Sequence, residues 1–184
     1  GSKSYLLLAK AELVAAVDIA KQSGNFDAVT IPTFELAKVE EGLEEYELAI
    51  GYYKQVVESI RVESGKTVSP TNPAHNRPAM LPNVIVHMEY CVYKSGDKTA
   101  KGRMILALED LQKADEVDVN NKNVWLSGGY MSLAEMLRSD DPEAAKTYLA
   151  KAKEFITDDP RLAVRLKQWK ALKKILEGGE FTHI

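Results

Sequence analysis

His87 and Cys91 lie four residues apart, the spacing that brings two side chains together on one helical face. An imidazole and a thiol so placed could supply two ligands to zinc. A structural zinc site needs about four ligands, and Cys91 is the only cysteine, so no second pair completes it. Val84, Met88 and Val92 surround the pair, which favours a partly buried histidine beside a core cysteine. Glu180 and His183 have the Glu-x-x-His spacing of di-iron bundles, but such sites need two copies on facing helices, and this one follows Gly178-Gly179 in a tail. Glu116, Asp118 and Asn120 alternate like a calcium loop, yet Asn121 and Ser127 stand where its glycine and distal glutamate belong. There is no glycine-rich phosphate loop, and no serine or cysteine nucleophile comes with a His/Asp partner set. With only His75, His87 and His183, the acid–base repertoire is thin. No catalytic residue, cofactor site or metal site is therefore expected.

The bulk properties narrow the classes further. The chain of 184 residues is 45% hydrophobic and 28% charged, the material of one globular domain or a short repeat array. A net charge of -3 leaves no basic footprint for nucleic acid. No run reaches the roughly 18 apolar residues of a membrane span. Gly1-Ser2 reads as an expression scar, upstream of which a leader or anchor can have been removed. Glu40, Glu41, Glu44, Glu45 and Glu47 form an acidic run that straddles an expected helix start, where the helix dipole favours negative charge.

The elements that must position these residues are all helical. Leu43, Tyr46, Ile50, Tyr53, Val57 and Ile60 recur at steps of three and four and make one apolar stripe. Pro32, Pro142 and Pro160 suit first helical turns, with Asp141 and Asp159 as N-caps before two of them. Gly24, Gly42, Gly65 and Gly96 fall at expected helix ends. Eight helices are expected: 4–22, 32–41, 43–63, 80–95, 98–118, 122–138, 142–157 and 160–177. The short connections make successive helices antiparallel neighbours. The exception is a proline-rich inserted loop, 64–82, holding Pro70, Pro73, Pro78 and Pro82.

Small and large residues then recur on alternate helices. Ala49, Tyr53 and Val56 form one small-aromatic-small triplet; Ala107, Leu111 and Ala114 take the same places in another, and Ala145, Leu149 and Ala152 in a third. Asp118-Val119-Asn120-Asn121 follows the second, Trp125 and Gly129 come next at aromatic and small positions four residues apart, and Leu36-Ala37 on an earlier helix forms a large-small pair like the Leu-Gly of a first helix. Over about residues 30–157 this resembles the tetratricopeptide repeat family, in three degenerate units. Departures are Val119 in place of a proline and spacings of 58 and 38 residues between the triplets, against the family's 34.

The resemblance implies a single domain, 3–177, of antiparallel helix pairs stacked as a short superhelix, with 178–184 as a tail. The helix at 4–22 would cover one end. The helix at 160–177 would close the other, its stripe of Leu162, Leu166, Trp169, Leu172 and Leu176 packed inward and Arg161, Arg165, Lys167, Lys170, Lys173 and Lys174 on its other faces. It also implies a non-enzymatic module that holds a protein or peptide on the concave, first-helix side. Candidate contacts there are Asn123, Ser127, Tyr130 and Ser132 on one unit and Tyr90, Tyr93 and Lys94 on the unit before. The set of lysine, asparagine and arginine with which some of these arrays grip a terminal carboxylate is missing from the helix after Trp125. The alternative is a helical bundle holding a small ligand or metal near His87 and Cys91, and a third reading is self-association through an open end or the 64–82 loop.

Overall fold

The structure is a computed structural model that describes residues 2–24, 26–63, 80–114 and 119–178. Within them the fold is all-α, with eight α-helices packed in adjacent pairs: α1 (Ser2–Gln22), α2 (Phe26–Gly42), α3 (Tyr46–Glu63), α4 (Met80–Lys94), α5 (Ala100–Lys113), α6 (Val119–Leu137), α7 (Pro142–Glu154) and α8 (Ala163–Leu176). A single 3-10 turn, Pro160–Leu162, leads into α8. Among the described residues no helix is long and apolar enough to cross a membrane.

Local chemistry explains several boundaries. The Asp141 side chain accepts from the Ala144 backbone N–H ahead of α7, and the Asp159 side chain accepts from Arg161 N–H, each with a proline in the first helical turn as expected. The α7 and α8 boundaries otherwise differ by a turn or less from the expected ones. Three expectations fail for identifiable reasons. Pro32 does not open a helix; it lies inside α2, which begins at Phe26. Packing against α1 and α3 carries the helix through the lost rung, and the Thr33 hydroxyl donates to the Val29 carbonyl at 2.7 Å. Gly42 is the last residue of α2, but the left-handed position that ends the helix falls on Glu44, at φ 64°. That turn delays α3 to Tyr46, not residue 43. Helix α5 stops at Lys113, five residues short, because Ala114 is extended at ψ 107°.

Of the proline-rich loop expected at 64–82, residues 64–79 lie outside the described residues, as do Asp118, the Glu116 pattern, Glu180 and His183. Met80, Leu81 and Pro82 already belong to α4, where Pro82 sits in the first turn and its missing N–H costs nothing.

The three triplets do the packing that their spacing predicts. Ala49, Tyr53 and Val56 on α3, Ala107 and Leu111 on α5, and Ala145, Leu149 and Ala152 on α7 are buried, with Ala114 partly so. Two cores result. One joins α2, α3 and α4 around Phe34, Tyr53, Val57 and Val84. The other joins α4 to α8 around Met104, Leu108, Leu126, Leu133 and Leu149. The closing stripe of α8 packs inward as expected: Leu172 is buried, while Leu166, Trp169 and Leu176 pack on this second core. Helix α1 does not present the polar outer face expected of an end cap, for Tyr5, Leu8 and Ile19 stand exposed on it at 76%, 65% and 68%.

The adjacent glycines of α6 have different neighbours. A methyl group on Gly129 would lie 2.5 Å from Leu108 Cδ2, so this glycine lets α6 approach α4 and α5 closely. One on Gly128 would meet only the end of the Arg165 side chain, at 3.0 Å. Gly129→Ala is expected to cost about 1–3 kcal/mol of overpacking, partly offset by helix propensity of about 1 kcal/mol. Gly128→Ala is expected to be neutral or stabilising by up to about 1 kcal/mol. Urea denaturation of the two variants should rank them in that order. Glu44→Gly relieves a left-handed side chain and should raise stability by roughly 0.5–1 kcal/mol in the same assay.

Candidate functional site

The His87–Cys91 pair is on one face of α4 as its spacing predicts, but a third group that the spacing does not reveal joins it. Glu41, in the last turn of α2, places Oε2 2.6 Å from the Tyr53 hydroxyl, which donates to it, and 3.0 Å from His87 Nδ1. The Cys91 thiol points at the same oxygen from 3.9 Å. Phe34 closes the cluster, edge-on to the imidazole at 5.8 Å, while Tyr53 stacks on the imidazole at 5.9 Å.

Burial by itself would raise the Glu41 carboxyl. The charge of protonated His87 and the hydrogen bonds from His87 and Tyr53 outweigh it and hold the group below the ordinary carboxylate value. Burial first, then the neighbouring Glu41, pushes both the Cys91 thiol and the Tyr53 phenol well up. Cys91 is therefore held as a buried thiol, the opposite of an activated nucleophile. Among the described residues no group of three or more His, Cys, Asp or Glu side chains is arranged to hold a metal ion.

The acidic run has a different cause from the one expected. Glu40 and Glu41 sit at the C-terminal end of α2, where the dipole disfavours them. Tertiary partners hold them there. Buried Glu40 pairs with Lys10 of α1 at 2.9 Å, and Glu41 has the cluster just described. Only Glu47 occupies the favoured first turn of α3.

Glu41 of this cluster also lines a groove of about 380 Å³ into which α2, α4, α6 and α8 all project. Glu41 comes from α2 and Tyr90 from α4; Gly128, Met131, Ser132 and Glu135 come from α6; Arg165, Gln168, Leu172 and Ile175 come from α8. The even-numbered helices thus share one wall, and the odd ones α3, α5 and α7 carry the triplets.

Of the residues expected to contact a partner, Tyr90 lines this groove, half-buried, and donates from its hydroxyl to Glu135 Oε2 at 2.8 Å. Its ring meets Tyr46 edge-on at 6.4 Å. Exposed Lys94 stands beside it, 3.5 Å from Glu135 Oε1 and 5.8 Å from the Tyr90 ring centre. Ser132 also lines the groove.

Three of the other expected contacts, Ser127, Tyr130 and Tyr93, are buried instead of facing outward. Ser127 is buried, its hydroxyl turned back to the Val124 carbonyl at 3.1 Å, which lets a serine sit in the core. Tyr130 is 4% exposed and lies between α6 and α7, its ring stacked 5.8 Å from Phe155 and 6.3 Å from Tyr148. Tyr93 is equally buried and donates to Asp140, with Lys98 4.0 Å above its ring. Asn123 is half-buried and does not line the groove. Arg165, expected on the outer face of α8, is instead half-buried against Gly128. Arg165, Gln168, Leu172 and Ile175 fall at helical spacing, but the stripe expected on this helix is Leu162, Leu166, Trp169, Leu172 and Leu176, so this face was missed. Nothing in that spacing shows that it faces α6.

No family model matches the chain, and neither a curated protein nor a solved structure matches it.

Because the folded Glu41 carboxyl lies below its ordinary value of about 4.3, the unfolded chain binds more protons between the two values. Its contribution to stability is present above that ordinary value and is lost as pH falls through the folded one. Glu41→Gln should cost about 1–3 kcal/mol at neutral pH, by stranding partly buried donors. It should also flatten the acid side of the stability–pH curve. An acid limb identical to that of the parent, followed by thermal unfolding from pH 3 to 7, would refute the assignment.

Proposed function

We propose that this chain is a non-enzymatic interaction module of the tetratricopeptide type, a short solenoid that holds a protein or peptide along the wall formed by α2, α4, α6 and α8. The observation that carries this is the groove to which all four alternate helices contribute side chains. Helices have no free backbone donors or acceptors along their length, so recognition falls to side chains and shape. The groove offers both: a floor of Met131, Leu172 and Ile175, and a polar margin of Tyr90, Ser132, Glu135, Arg165 and Gln168. An apolar centre with a few convergent polar groups is the composition of binding sites in general.

The alternate placement of the triplets supports the same reading. Small residues on α3, α5 and α7 let each pair close tightly, and the opposite wall is left to larger, amphipathic side chains. The Glu41–His87–Tyr53–Cys91 cluster then serves as a polar joint that fixes α2 to α4 beside the groove.

A photoreactive amino acid at Ser132 or Gln168, in the groove, is expected to crosslink a partner in the native host. The same group at exposed Glu143 of α7 should give little. Equal yields from all three positions would sink the groove assignment, and a product of twice the chain mass would identify the partner as a second copy. Tyr130→Ala should lower stability by about 3–5 kcal/mol as a core deletion, whereas Tyr90→Ala should weaken capture with a much smaller stability loss.

A further inference from the structure

The groove contains a charged group whose hydrogen bonding is incomplete. Arg165 donates from Nη1 to Gln168 Oε1 at 2.9 Å, but its Nε is buried with no hydrogen-bond partner, alone in this among the side-chain atoms of the described residues. None of the ion pairs formed among the described residues includes it. Burial draws its pKa below the ordinary guanidinium value. The fold nevertheless makes room for it, since Gly128 leaves the space where Nη2 lies and any β-carbon there would crowd it at 3.0 Å.

The acids of the groove are turned elsewhere. Glu135 is held by Tyr90 and Lys94, and Glu41 by Tyr53 and His87. A desolvated charge without a counter-ion is costly, and the part of the Arg165 guanidinium that lines the groove, unlike the enclosed Nε, is open to a carboxylate, which a guanidinium matches in geometry and charge.

We propose that Arg165, seated on Gly128 and steadied by Gln168, anchors an acidic side chain of the bound peptide. This rests on the groove being a peptide-binding face. The charge layout also selects the neighbour of that acid. Glu135 and Glu41 line the same groove, so a run of acids would be repelled, and an acid next to a basic residue would meet both signs of charge. A short acidic-basic motif is therefore the partner chemistry that the groove selects.

The test uses pools of N-acetylated, C-amidated hexapeptides with a fixed central Glu-Lys or Gln-Lys and the other positions randomised. The Arg165 Nε–Hε signal is followed by heteronuclear NMR and assigned by its loss in Arg165→Lys. The Glu-Lys pool should move that signal saturably and bind roughly 10- to 100-fold more tightly than the Gln-Lys pool, the worth of one hydrogen bond to a charged group. Arg165→Met should erase the difference between pools. Gly128→Val, which displaces the guanidinium without removing its charge, should do the same, with circular dichroism confirming that both variants are folded.

Equal binding of the two pools with the Arg165 signal unmoved would overturn the anchor and leave the peptide groove standing. Failure of both pools to bind, together with uniform crosslinking, would overturn both. If glutarate alone moved the signal as effectively as the Glu-Lys pool, the site would be one for small carboxylates, and the peptide assignment would fall.

Discussion

Helix α4 has to satisfy two cores at once, and the rest of the molecule is arranged around that demand. Val84 and Cys91 are buried toward α2 and α3, while Val86 is buried toward α5 and α6. Four of the polar residues of this enclosed helix find partners beyond it. His87 meets Glu41 of α2, Glu89 accepts from Arg103 Nε of α5 at 2.9 Å, and Tyr90 donates to Glu135 of α6. Tyr93 donates to Asp140, just beyond α6. Apolar burial alone is non-directional. These polar contacts fix the rotation of α4 about its axis, because turning it would strand several buried groups together.

The groove is a consequence of this arrangement. Once α4 is fixed, Tyr90 must face α6, and Gly129 lets α6 come close enough for Leu108 and Val86 to pack on it. Helix α8 is then held by Leu172 in the second core and by Trp169, whose Nε1 donates to the Leu149 carbonyl at 2.7 Å. That setting turns Arg165 and Gln168 toward α6 and leaves much of the lysine-rich face outward. The charge distribution of the groove is thus a by-product of packing on α4: acids from α2 and α6 are already engaged, and one guanidinium from α8 has no acidic partner among the described residues.

The acidic turn between α2 and α3 shows how tertiary contacts override local preference. Two glutamates sit at a helix end that disfavours them, and a third adopts a left-handed backbone. Lys10, Tyr53 and His87 supply what the helix does not. Because Lys10 belongs to α1, this also links α1 to the other helices, in addition to the packing of α1 on α2.

The helices themselves were legible because the period of apolar residues is a local property, as are the aspartate caps before Pro142 and Pro160 and the triplets that mark α3, α5 and α7. Of the groove lining, Tyr90 and Ser132 were legible as candidate contacts, with Lys94 beside them. The linear chain dictates which residues form helices and which stripe of each is apolar. Which neighbour covers each stripe is settled in three dimensions. Tyrosine and serine can serve either side: Tyr130 and Ser127 went inward because α7 stacks on one and a backbone carbonyl satisfies the other. Arg165 turned into the groove because a glycine on a different helix, 37 positions earlier, left space for it. Periodicity describes one helix at a time; the groove is a relation among four.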